Sequence, residues 1–349
     1  MFKLPALLRL SRPHWLALSG VLLVALVGGL IVERWLTSSR IADQRSALEK
    51  ALRYTASALE DEGSRAVALG AAMLMGLNDP VLKAAALGEM PPDASEVLQR
   101  LSIARTLFDA NGAYVISASG KIVAHSTDGS RSTGTNVAFR PYFKTAMQGT
   151  ANSYAAVGAI SAERGLYYAA PLYSDNRLTS AVIGVVMLKM PSGKTDQLLR
   201  FAGDDALLLS PQGIVFASTQ PDWIYRINPP ITEARLKNIR ELHQFAARFD
   251  ATAPVALPFD VMADTAQWGE QRYLVLREKV QWRDPTGPWL AVSLHPLDSL
   301  ISPLLRLLLG YPLSPFWPCW ACCCCKCCWG ADAWPPPARV TTSWVPRWS

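Results

Sequence analysis

The sequence predicts an α+β protein: an N-terminal transmembrane helix, a long helix, and two antiparallel-sheet modules in tandem. Three observations carry this expectation. Eighteen consecutive residues, Trp15 to Val32, hold no charge. Apolar residues then recur at three- and four-residue steps. The phrase SASGKIVAHST, from Ser117, returns as SPQGIVFAST, from Ser210, each time as the first hairpin after a helix.

The Trp15–Val32 run is about as long as a bilayer core requires. Lys3, Arg9 and Arg12 precede it without an acid, which puts the N-terminus in the cytoplasm. Trp15 and Trp35 stand where interfacial anchors are expected. The run is long for a cleaved signal peptide, and no A-x-A site follows closely. A helix is expected from Thr37 to about Met75, with Ile41, Leu48, Leu52, Ala56 and Leu59 on one stripe. It would extend for roughly 55 Å and end at Asn78-Asp79-Pro80. A second helix is expected around Ser95 to Phe108.

A hairpin follows, turning at Ser119-Gly120. FRPYFKTAMQG then suggests a short helix just after Pro141. GLYYAAPLYSDNRLTSAVIGVVMLKM suggests two strands about a Ser-Asp-Asn turn. The second module opens with the repeated phrase and continues through a polar, Pro-bounded segment, Pro221 to Pro258. It closes with the strands QRYLVLREKV and PWLAVSLHPL. A net charge of +6 without a dense Lys/Arg block gives no indication of a nucleic-acid partner.

At FRPYFKTAMQG followed by GAISAERGLYYAAPL, the chain resembles the double Cache periplasmic sensor regions of C4-dicarboxylate-sensing bacterial histidine kinases. The resemblance covers about residues 10 to 305. It implies two PAS-like modules hung on one long helix, with the ligand in the membrane-distal one. Residues 1–36 would be a cytoplasmic stub and membrane helix, and 37–300 the periplasmic sensor domain. Within the latter, the distal module would span about 100–195 and the proximal one about 200–298. The implied ligand residues are Arg140, Tyr142, Ala159, Ile160, Ser161, Tyr168 and Lys189.

The chemistry of these side chains suits an organic acid. Arg140 could grip a carboxylate with its fork, Lys189 could supply a point charge, and the tyrosines offer hydroxyl donors. Arg140 could equally cap the short helix, with the tyrosines as core residues bearing a polar tip. Ala159 and Ile160 stand where the family loop usually carries hydroxyls, so two side-chain donors are missing there and the ligand could be a less polar acid. The resemblance implies a homodimer in the bacterial inner membrane, without a cofactor, whose kinase domain is absent from this chain. Diguanylate cyclases and chemotaxis receptors carry the same kind of ectodomain, and a non-signalling truncated product is a further reading.

No other chemistry competes strongly. His14, His125, His243 and His295 have no metal-ligand spacing. His125 and Ser126, adjacent on a strand, would face opposite ways and make no nucleophile–base pair. GSRSTGT, from Gly129, lacks the Walker lysine. No nucleophile can be named for a hydrolase.

All seven cysteines lie between Cys319 and Cys328, and half of the twelve tryptophans lie between Trp317 and Trp348. Cys319 and Cys322 have a zinc-like gap. Read one base earlier, TGC codons become CTG, and the cysteine run becomes a leucine-rich segment. Residues 301–349 are therefore expected to be the start of a second transmembrane helix followed by a frameshifted tail.

Overall fold

The apolar stripe of the N-terminal third winds into one continuous helix. In the computed structural model, which describes residues 12–64, 66–127, 129 and 132–300, α1 runs Arg12–Ser64. Its 53 residues extend for about 80 Å at the standard rise. Leu52, Ala56 and Leu59 are buried at the expected steps. Trp15–Val32 is helical backbone within α1, but most of its side chains fall outside the described set. Among the described residues no helix is long and apolar enough to cross a membrane. Lys3, Arg9 and the whole of 301–349, with every cysteine, lie outside the described residues.

Helical backbone continues toward Met75, with Arg65 outside the described residues. α2 spans Ala66–Asn78. Two side chains grip the end of α1: Trp282 Nε1 donates to the Leu59 carbonyl at 2.6 Å, and Tyr168 Oη donates to the Glu62 carbonyl at 2.5 Å. The Trp282 indole packs directly over Gly63, where any side chain would collide with it.

Asp79 ends α2 and starts α3, Pro80–Leu87, a helix not expected from the sequence. Its carboxylate accepts from the Val81 N–H at 3.0 Å and the Leu82 N–H at 3.3 Å, with Pro80 at the first helical position. α4 follows at Ser95–Leu107.

The first sheet holds β1 Gly112–Ser117, β2 Ile122–Thr127, β3 Asn152–Val157, β4 Arg164–Tyr173 and β5 Val182–Pro191, in the order β2-β1-β5-β4-β3. α5, Pro141–Met147, lies between β2 and β3. After α6, Gly193–Leu199, the second sheet holds β6 Asp205–Leu209, β7 Val215–Ser218, β8 Thr265–Trp268, β9 Gln271–Val280 and β10 Trp289–Pro296. Its order, β7-β6-β10-β9-β8, repeats that of the first sheet strand for strand. α7, Glu233–Leu242, fills the place of α5. The edge strands β3 and β8 escape the sequence reading. β3, NSYAAV, is rich in small residues of low strand propensity.

The repeated phrase makes the same turn twice. The Gly120 N–H donates to the Ser117 carbonyl at 2.9 Å, and the Gly213 N–H to the Ser210 carbonyl at 2.7 Å. Both glycines have positive φ, +82° and +75°, a conformation that disfavours other residues.

The modules meet along β3. Its free edge is covered by the second module: the Val157 N–H donates to the Gln244 carbonyl at 2.8 Å, and Gln244 Nε2 to the Ala155 carbonyl at 2.8 Å. The Ser153 N–H donates to the Arg283 carbonyl at 3.2 Å. The helix-facing side of both sheets joins one core, and each sheet's other face has a core of its own.

Candidate functional site

A cavity of about 50 Å³ opens on the first sheet, on the face away from α1. Its walls come from β1, β2, β4, β5, the N-terminus of α5 and the two loops after β2 and β3. Six of the seven expected residues line it: Arg140, Tyr142, Ala159, Ile160, Ser161 and Lys189.

Lys189 sits near the end of β5, almost fully buried. Its Nζ donates to Ser161 Oγ at 2.6 Å and lies 3.8 Å from the exposed Glu163 carboxylate. Burial lowers its pKa from the ordinary 10.5, and Glu163 partly opposes the fall. The loop Gly158–Glu163 folds over this ammonium. The Gly158 N–H donates to the Glu163 carbonyl at 2.9 Å, and the Ala162 N–H to the Gly158 carbonyl at 3.1 Å. A methyl group on Gly158 would press on Ser161 Oγ, 3.1 Å from Tyr167 Oη and 3.4 Å from Lys189 Nζ. Three polar groups from three elements thus converge over a glycine. Ala159 and Ile160 are exposed at the rim, Ile160 at 46%.

Tyr168 is the exception. It lies on the opposite face of β4, fully buried against the helices, and its hydroxyl is the one that grips Glu62. Tyr167 lines the cavity in its place. Strand register explains the difference. Lys189 is paired directly with Tyr167, and Leu188 with Tyr168. Directly opposite residues share a face, and successive residues alternate. Tyr167 stacks on Tyr142, with ring planes 3° apart and centroids at 5.5 Å. Its hydroxyl is buried without a hydrogen-bond partner in the protein. Burial raises the pKa of both tyrosines well above the ordinary 10, against the opposing pull of Arg140, so both remain neutral donors.

Arg140 stands at the N-cap of α5, but its side chain makes no capping bond. The guanidinium is buried. Nη1 donates to the His243 carbonyl at 2.6 Å and Nη2 to the Val157 carbonyl at 3.0 Å. His243 follows α7, so Arg140 ties the cavity wall to the second module.

Sequence reasoning missed Tyr114, Ser132, Thr135 and Tyr167. Ser132 and Thr135 belong to the GSRSTGT loop, which His125 holds through Thr133 Oγ1 at 2.8 Å and the Ser132 N–H at 3.3 Å. Among the described residues, no group of His, Cys, Asp and Glu is placed to hold a metal.

Two five-stranded sheets of one topology, hung on a long helix with a small polar cavity in the first, make a two-module α+β fold. The same fold is found in the sensor domain of the histidine kinase DctB of V. cholerae. That structure has a TM-score of 0.58 and 20% identity, over 74% of this chain and 98% of that one. It is also found in the ligand-binding domain of the Campylobacter jejuni chemoreceptor Tlp3 in complex with 4-methylisoleucine. There the TM-score is 0.51 and the identity 16%, over 77% of this chain and 95% of that one.

The curated homologues of this chain are C4-dicarboxylate transport sensor proteins. It is 28% identical to DctB of Rhizobium meliloti over 260 residues, 70% of this chain and 40% of that protein. It is 30% identical to DctB of Pseudomonas aeruginosa over 104 residues, 30% of this chain and 16% of that protein. The chain thus spans less than half the length of the curated relatives it matches. No family model matches it.

Proposed function

We propose that the chain is the extracytoplasmic sensor part of a membrane-anchored signalling protein, and that it binds a small carboxylate of the C4-dicarboxylate kind. The observation that carries this reading is the convergence of Lys189 Nζ, Ser161 Oγ and Tyr167 Oη in one cavity, beside buried Arg140. The homologues' name supports the ligand class. The uncharged Trp15–Val32 run supports an inner-membrane anchor, with 37–300 in the periplasm. The reading includes a homodimer and an output through a two-component histidine kinase. The likeness to a chemoreceptor domain favours one alternative, output through a chemotaxis receptor.

The path of the signal follows from β4. Tyr167 faces the ligand, and the next residue, Tyr168, holds the end of α1 through Glu62. A ligand that favours one packing of β4 would shift the population of α1 positions.

The test is thermal unfolding of the full chain in detergent. A ligand at a hundredfold its Kd stabilises by about 2.7 kcal/mol, a rise in Tm of about 5–10 °C for a domain of this size. Succinate or malate should give such a rise, and Lys189→Ala should abolish it. A panel of small acids without any shift refutes the reading. For residues 301–349 the proposal remains a shifted frame, tested by a nucleotide read across codons 305 to 340. An unbroken frame refutes it.

A further inference from the structure

Resting on the reading of the first-sheet cavity as the ligand site, we infer that Gln244, a residue of the second module, is a positioning residue for that site. It acts through Val157 and Arg140, and it makes ligand affinity depend on the contact between the modules.

Gln244 follows α7 by two residues and is 1% exposed. Its Nε2 donates to the Ala155 carbonyl at 2.8 Å, and its own carbonyl accepts from the Val157 N–H at 2.8 Å. It thus takes up the free edge of β3 much as a further strand would. Val157 ends β3, and the next residue, Gly158, opens the loop that carries Ser161. The Val157 carbonyl in turn accepts from Arg140 Nη2 at 3.0 Å. Arg140 Nη1 donates to the carbonyl of His243, the neighbour of Gln244, at 2.6 Å. Arg140, Val157, Gln244 and His243 therefore close a hydrogen-bonded ring across the junction. Arg140 precedes α5, and Ala159 to Ser161 lie in a loop, so strand pairing places neither of them.

The segment that supplies the ring is held in a costly shape. His243 and Ala246 both have positive φ, +46° and +53°, and neither is a glycine. Such conformations persist where the surroundings over-determine them, and they gather at binding sites. Phe245 roots the segment in the second module, fully buried beside Tyr225 and Phe249 at ring distances of 6.2 and 5.7 Å. The His243 ring meets Phe139, the residue before Arg140, edge-on at 5.4 Å.

A guanidinium carries five N–H donors. Two of those of Arg140 go to the ring carbonyls, and the rest stay with the cavity that Arg140 lines. The ring therefore holds a cation and the Ser161 loop in place before a ligand arrives, and binding is spared the cost of ordering them. By linkage, a ligand that engages Arg140 or Ser161 strengthens the junction to the same degree.

The test is calorimetric titration of the full chain in detergent with succinate and with L-malate, alongside melting curves. The variants are Gln244→Met, which keeps the length of the side chain and loses the Nε2 donor, and Thr286→Val. Thr286 bonds to Asp284 beside the junction but stands outside the ring. Gln244→Met should weaken binding about tenfold, the equivalent of one hydrogen bond. Thr286→Val should lower Tm and leave Kd within about twofold of wild type, as expected of a residue without a link to the ligand. Should Gln244→Met fail to melt cooperatively, Gln244→Glu, of the same size, takes its place. An unchanged Kd in the Gln244 variant overturns this inference and leaves the proposed function standing. So does a Thr286→Val variant that loses as much affinity for the same fall in Tm, since general loosening of the junction would then account for both. Wild type that binds neither acid overturns the ligand class of the proposed function, and this inference with it.

Discussion

The two adjacent tyrosines of β4 make opposite predictions when their hydroxyls are removed. Tyr168 Oη is buried and donates to the Glu62 carbonyl at 2.5 Å. Tyr168→Phe leaves that carbonyl without this donor, at a cost of about 1–2 kcal/mol. For a domain of this size the loss lowers Tm by about 2–8 °C. The ligand-induced rise in Tm should survive, because the cavity face is untouched. Tyr167 Oη is buried without a partner in the protein. An unsatisfied buried hydroxyl is itself destabilising, by about 1–3 kcal/mol. Tyr167→Phe should therefore leave the free protein as stable as wild type or more so, while the ligand-induced rise shrinks. The assay is a pair of melting curves for each variant, with and without the best-binding acid. If Tyr168→Phe removes the ligand response while Tyr167→Phe keeps it, the assignment of faces is wrong. If Tyr168→Phe melts with wild type, the grip on α1 contributes nothing.

Three further outcomes are expected. Gly158→Ala places a methyl group 3.4 Å from Lys189 Nζ and against Ser161 Oγ, so it should abolish ligand binding with little change in Tm; titration checks this, and undiminished affinity would count against the site. Carboxylate binding requires protonated Lys189, whose pKa burial lowers below 10.5. Affinity should therefore fall with rising pH earlier than an ordinary lysine would dictate, and titrations from pH 7 to 10 would expose a flat profile. Asp284 is buried beneath the module junction, accepting from Trp289 Nε1 at 2.8 Å and the Thr286 N–H at 2.7 Å. Burial raises its pKa to about 6 from 3.8, against those hydrogen bonds. The folded state then holds the proton more tightly than the unfolded one. Its contribution is fully present below pH 3.8 and is lost as pH rises through about 6, on the order of 2–3 kcal/mol. Asp284→Asn should lack that slope in denaturant titrations between pH 4 and 7, and parallel profiles would refute it.

The local elements were written in the sequence. The stripe through Leu52, Ala56 and Leu59 predicts its helix, since side-chain spacing sets which face of a helix is apolar. The Ser-x-x-Gly phrase predicts two equivalent hairpins, because both turns need a residue that tolerates positive φ. The R-P-Y-F and E-R-G-x-Y-Y segments pointed to Arg140, Tyr142, Ser161 and Lys189, all of which line one cavity. The small-residue edge strand β3 was not legible, because its strand conformation depends on pairing with β4 and on cover from the second module.

What the tertiary structure alone decided is where each polar group finds its partner. Two tyrosines in a row offered the sequence no means to choose between them. The pairing of Tyr167 with Lys189 chose, because a single step along a strand turns a side chain to the other face of the sheet. Arg140 looked ready for a carboxylate, but a carbonyl 103 residues further along the chain takes one of its donors. Helix and turn preferences act within a few residues and are legible there. Burial, register and hydrogen-bond partners join distant parts of the chain and exist only once it has folded.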